Sequence, residues 1–223
     1  MFGLNEKELK TLLRLNTPHK IQDFLENLEI NFEKEGDTCM SPRKVLQTGK
    51  AHCIEAAIFA ALALRVNGYP PLLVDLTANN NDYDHVITVF KKNGHWGAIS
   101  KTNRAILRYR DPIYKSIREL VMSYFNEYFL EDGKKTLRSY SSPVDISKLD
   151  KFNWITSEEN IWIIPEKLIE TKHFPIVSRG QVRGLRASDP IEIESARISQ
   201  WKPVKNNAIK LKYKRSKNAK AFV

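Results

Sequence analysis

Leucines fall three or four places apart through "LNEKELKTLLRL", so residues 4–15 read as a short amphipathic helix. A longer apolar stripe, Ile21, Phe24, Leu25, Leu28 and Phe32, runs through "TPHKIQDFLENLEINFEKEG" to Gly36, with Thr17 as N-cap and Pro18 at the first helical position. Ser41 and Pro42 then open a short turn through "RKVLQ" that closes near Gly49. The pattern changes at "GKAHCIEAAIFAAL", where small apolar residues fill almost every position, as in a helix buried on all sides. Gly68, Pro70 and Pro71 in "NGYPP" stop it.

Beyond this point a two-residue period takes over. "LLVDL" reads as a strand and "ANNNDYD" as a loop lying over a cleft. "HVITVF" and "NGHWGAIS" make a hairpin with Asn93 and Gly94 at its tip. Asp111 and Pro112 read as the cap and first residue of a helix in which Ile113, Ile117, Leu120, Tyr124 and Tyr128 recur until Gly133. The aromatic residues of that stretch have helical spacing and belong to a core. Residues 134–201 are less regular, with several prolines and short β-rich pieces such as "NIWII". The expected fold is α+β: an antiparallel sheet with the cysteine-bearing helix packed against it. Residues 1–133 form the core with its N-terminal helices, 134–201 a β-containing portion packed on that core, and 202–223 a basic tail.

Charge sharpens the last boundary. The net charge is +10, but eight Lys or Arg and no acid lie from Lys202 onward, leaving 28 basic against 26 acidic residues before it. Such a tail can contact nucleic acid or another polyanion through phosphates, or simply be solvated. With 223 residues, 42% hydrophobic and 28% charged, the chain can bury a sizeable core. No stretch has the run of about 18 apolar residues that a membrane span needs. The opening "MFGLNEKELKTLLRLN" lacks the apolar core of a secretory signal, so the expected compartment is the cytoplasm.

Cys39 and Cys53 are too few for a disulfide scaffold and have no zinc-type spacing with His52 or His85. "ANNNDYD" lacks the glycine and terminal glutamate of a calcium loop. No metal and no cofactor are expected. Cys53 lies in the first turn of its helix, where unpaired N–H groups and the helix dipole favour a thiolate. Pleat alternation sends His85, Ile87 and Val89 to one face, read here as the inward one, and His85 can then accept the thiol proton. Asp82 and Asp84 precede it and favour a cationic ring. The plainer alternative is that Cys53 only packs, since free cysteine is among the most buried residue types. His52 and His95 read as surface neighbours, although His52 has room beside the cleft; His19 and His173 carry no pattern.

"GKAHCIEAA", "DHVITVF" and "HWGAIS", in this order over residues 45–105, resemble the transglutaminase-like superfamily of papain-like cysteine enzymes. "WGAISKTN" and "SYF" are similar to stretches of a bacterial group within it. The resemblance implies Cys53 as nucleophile and His85 as base of an acyl-enzyme mechanism. It also implies a third residue, usually an aspartate at the end of the strand that begins with Trp, where this chain has Ser100. Pairing across Asn93 and Gly94 sets 85 opposite 102, which puts Ser100 and Thr102 on the side of His85. Asn103 and Asp111 are the other candidates to steady the imidazole. Gln47, six residues before the cysteine as in papain-like enzymes, is a candidate oxyanion donor beside the Cys53 N–H. The expected activity is a cysteine hydrolase or acyl transferase acting on an amide, glutaminyl or peptide bond of a peptide or protein. The alternative is a silent binding module of the same fold whose tail holds a polyanion. Neither reading sets an oligomeric state.

Overall fold

The computed structural model describes residues 1–202, so the basic tail lies, from residue 203 on, outside the described residues. Asn5 caps α1 (Glu6–Arg14) in a reciprocal box with Glu8, and Thr17 caps α2 (Pro18–Glu26). The stripe that predicts one helix to Gly36 breaks after Glu26. The chain turns at Asn27 into β1 (Glu29–Ile30), which pairs in parallel with β2 (Lys50–Ala51). Where a short turn was expected, α3 (Pro42–Thr48) makes a helix, capped by Ser41 and ended by Gly49 in the left-handed region. The buried helix α4 (Cys53–Val66) follows, with every residue from Cys53 to Leu64 buried.

The remaining elements are β3 (Leu72–Ala78), β4 (His85–Lys92), β5 (His95–Ile99), β6 (Arg110–Tyr114), α5 (Ile117–Phe125), β7 (Leu137–Ser141) and β8 (Val144–Asp145). After a 3₁₀ helix (Ile146–Phe152) come α6 (Ile163–Glu170), β9 (His173–Pro175), α7 (Arg179–Arg183) and α8 (Pro190–Ala196). The fold is α+β. Its main sheet has seven strands in the order β6-β5-β4-β3-β7-β9, with β8 also on β3, and each described pairing in it is antiparallel. Residues 134–201 therefore supply strands to the sheet of the first unit, with β7 lying directly on β3.

Helices cover both faces of the sheet. Leu73, Val86, Phe90 and Ile99 join α4 in one cluster; Val74, Leu76, Ile87, Val89 and Ala98 join Leu120, Val121 and Tyr124 of α5 in the other. The alanines of α4 let its backbone approach β4 closely enough for Thr88 Oγ1 to donate to Ala57 O at 2.5 Å. Side chains on β4 facing α4 are therefore Val86 and Phe90, and the expected inward set of Ile87 and Val89 faces α5 instead. The hairpin pairs Lys92 with His95, as its tip predicts, and Asn93 (φ 49°) and Gly94 (φ 81°) both adopt the positive φ of a two-residue hairpin turn. A Cβ on Gly97 would stand 2.6 Å from Phe90 Cζ and 2.8 Å from Arg110 O, so β5 and β6 meet only because this residue lacks one.

Two expectations fail for stated reasons. Asp111 and Pro112 do not open a helix: they lie in β6, at the sheet edge where a missing N–H is tolerated, and Ser116 caps α5. "NIWII" leads into α6 and not a strand, because a short apolar run has no period to tell the two apart. No helix among the described residues is long and apolar enough to cross a membrane.

Candidate active site

The first turn of α4 holds the thiol. Cys53 is 6% exposed and faces a cleft of about 490 Å³. Its N–H lies in the first helical turn, which has no intrahelical acceptor and carries the positive end of the helix dipole. The residue before it, His52, is the N-cap, and its backbone N–H donates to Glu55 Oε2 at 3.0 Å. Contrary to the surface position expected of it, His52 is buried beside the cleft. Its Nε2 stands 3.0 Å from Thr38 O, 3.3 Å from Glu33 Oε1 and 3.4 Å from Glu55 Oε1. A carbonyl oxygen only accepts, so this nitrogen carries a proton. Glu55, fully inaccessible, also accepts from Thr38 Oγ1 (2.8 Å) and Met40 N (2.9 Å).

His85 opens β4, lines the same cleft and is 6% exposed. Its Nε2 lies 2.8 Å from Ser100 Oγ, and Ser100 Oγ in turn donates to Leu107 O at 2.5 Å. The hydroxyl has one proton and gives it to that carbonyl, so it must accept the proton of His85 Nε2. Nδ1 is then the nitrogen left for the thiol. The Ser100 backbone is clamped on both sides by Gln22, which accepts from Ser100 N (3.1 Å) and donates to Ser100 O (2.8 Å). Next to it, buried Lys101 donates from Nζ to Leu25 O (2.7 Å) and Leu28 O (2.8 Å), tying this stretch to the end of α2.

Burial alone would push the Cys53 thiol up, but hydrogen bonds and charge from His52 and His85 outweigh it and bring its pKa from 9.0 down to about 6. Burial likewise disfavours the His52 cation, and the Cys53 sulfur together with Glu55 and Glu33 raises it against that cost to about 9. Both shifts favour a thiolate beside an imidazolium. Burial raises the Glu33 carboxyl. Cys39 is the opposite case: burial, with Glu55 and Cys53 nearby, holds its thiol well above the ordinary value.

Ser100 alone of the three candidates touches His85. Asn103 lines the cleft, but its amide is spent on Trp201, donating from Nδ2 to Trp201 O (2.9 Å) and accepting from Trp201 N (2.8 Å). Around this clasp, Gln200 N donates to Asn103 O (3.0 Å) and Ala105 N to Ile198 O (3.1 Å). Ile193 and Ala196 of α8 line the same cleft, as do Asp82, Tyr83 and Asp84 of the 79–84 loop. Asp111 is exposed on β6 and pairs with His19 at 3.4 Å. Gln47 is exposed on α3 and does not line the cleft, so it cannot serve as the oxyanion donor. No protein-family model and no curated protein matches this chain.

Glu33 and Glu55 went unread in the sequence as parts of the site, and His52 was read only as a neighbour with room beside the cleft. The signal available was "HCIE", a residue followed by glutamate three places on, which is the spacing of a capping box with histidine where serine or threonine is usual.

Proposed function

We propose that the chain is a cysteine hydrolase or acyl transferase of the transglutaminase-like kind, acting on an amide, glutaminyl or peptide bond. The observation that carries this reading is a thiol in the first turn of α4 between two buried imidazoles, one of which has its far nitrogen pinned by Ser100. Cys53 Sγ gives its proton to His85 Nδ1 and attacks the carbonyl carbon, forming the C–S bond. The negative charge moves to the carbonyl oxygen, where the first-turn N–H groups of α4 can meet it. As that charge returns, the C–N bond breaks and His85 Nδ1 gives its proton to the departing nitrogen. Water or an amine then attacks the thioester, loses a proton to His85 Nδ1, and the thiolate leaves. His85 Nδ1 is left holding a proton in place of the one it first took from Cys53, and the expelled thiolate stands ready to attack again.

The test is acyl transfer itself. The full-length protein is incubated with a panel of small amides, glutaminyl peptides and activated acyl esters, and the adduct is sought by mass spectrometry. An acyl group on Cys53, absent in Cys53→Ala and not turned over in His85→Gln, supports the reading. Turnover that survives Cys53→Ala overturns it. The binding-module alternative rests on the tail from residue 203 on, and nothing among the described residues favours it.

A further inference from the structure

A single base would satisfy the chemistry just described, yet the thiol has two imidazoles, and they are held by unlike partners. His85 has a neutral hydroxyl behind it. His52 has two buried carboxylates behind it, Glu33 and Glu55, whose side chains are 7% and 0% exposed. Its Nε2 proton is committed to Thr38 O, and its Nδ1 is buried with no hydrogen-bonding partner among the described residues other than the adjoining thiol. A neutral ring here would leave a bare acceptor facing a sulfur and two carboxylates without a charge to answer them. A doubly protonated ring answers both, donating from Nδ1 toward the sulfur and from Nε2 toward the oxygens.

We infer that the two histidines divide the work: His52 is a standing cation that holds Cys53 as a thiolate and stays protonated throughout, while His85 alone takes up and returns protons. The inference rests on the proposed acyl-transfer reading and deepens it. The carboxylates explain why His52 does not exchange its proton: Glu55 accepts from Asn31, Thr38, Met40 and the His52 N–H, and Glu33 from Thr38, but all of these donors are neutral, and discharging the ring would remove the positive charge that faces both buried carboxyl groups. The groups that bear on this ring are Glu33 on the loop after β1, Glu55 and Cys53 on α4, Thr38 O and Cys39 on the strand-like stretch before α3, and His85 in the same cleft. Asp37 bears on Glu33 from the same loop. In the cycle, the thiolate expelled from the thioester returns to a cation already in place, and no proton need reach it first.

The consequence is a separation that one catalytic pair cannot give. Iodoacetamide alkylation of Cys53 is followed by mass spectrometry against pH on the full-length protein, with Cys39 as internal comparison. For wild type the expected midpoint is near 6. His52→Gln should raise it by at least one unit, so that alkylation at pH 6 slows by about fivefold or more. His85→Gln should move it less than His52→Gln does, while abolishing acyl transfer. Because His52→Gln removes a buried cation and can compromise folding, Glu33→Gln provides a milder perturbation in the same direction. The imidazole ¹⁵N shifts of the intact protein add a measurement that needs no substitution: at pH 7.5 both nitrogens of His52 should carry protons. A wild-type midpoint near 6 that is unmoved in a folded His52→Gln protein, or a singly protonated His52 at pH 7.5, overturns the division of labour and leaves the cysteine enzyme standing. A wild-type midpoint near that of an ordinary thiol, about 8.5, overturns both.

Discussion

Replacing Ser100 by alanine removes one oxygen from the middle of the proposed site. That oxygen is 2% exposed as part of its residue, accepts from His85 Nε2 at 2.8 Å and donates to Leu107 O at 2.5 Å. Each such bond contributes about 1 kcal/mol net, and both partners would be left with an unmet polar atom, so a destabilisation of roughly 2 kcal/mol is expected. In a chain of this size that lowers the melting temperature by roughly 4–8 °C. The larger effect is on the base. With Ser100 in place His85 carries its proton on Nε2, which imidazole ¹⁵N shifts report directly; without it, the two tautomers mix. Acyl transfer should slow by about ten- to a hundredfold, part of the roughly 10²–10⁴-fold that a positioned base supplies. The alkylation midpoint of Cys53 should move little, since His52 is untouched. A Ser100→Ala protein that keeps a pure Nε2 tautomer and full transfer rate would refute the assignment of Ser100 as the positioning residue.

Gly97→Ala places a Cβ 2.6 Å from Phe90 Cζ, 2.8 Å from Arg110 O and 3.0 Å from Pro112 N, two of them backbone atoms that cannot swing aside. It should cost about 1–3 kcal/mol, read as a lower urea midpoint at unchanged slope. Gln47→Ala and Asp111→Ala, both exposed and away from the cleft, should each leave stability within about 0.5 kcal/mol and leave Cys53 alkylation unchanged at every pH. Slower alkylation in either would contradict their placement.

The hairpin and the buried helix were legible because each depends on a local rule. Asn93 and Gly94 dictate a turn, the turn dictates the register, and the register puts Ser100 on the side of His85. α4 was legible because twelve consecutive buried residues leave no polar face to dispute. Which face of β4 meets α4 was not legible, since both faces are apolar and only the crossover of the chain decides. His85 adjoins Cys53 nevertheless, because it sits at the end of the strand, where the first turn of α4 also lies. Asp111 was misread because an Asp-Pro pair serves a helix start and an edge strand equally well; only the sheet order distinguishes them. The carboxylates behind His52 were illegible for another reason. Glu33 and Glu55 are 22 residues apart, each looks like a solvated charge, and they share a ring only after β1 and β2 pair.

The clasp between Asn103 and Trp201 also sets a timetable. A chain emerges from its N-terminus, and at roughly 5–20 residues per second about 5–20 s pass between the making of Ser100 and the making of Trp201. Throughout that interval Cys53, His52, His85 and Ser100 all exist, while the α8 residues that line the cleft and the Trp201 that holds Asn103 do not. The strand β9 is missing for most of it as well, and until β7 is made β3 has only β4 beside it. If the proposed acyl transfer holds, the nascent chain carries its reactive groups before the groove that would seat an acyl donor is complete, and competence waits for residue 201.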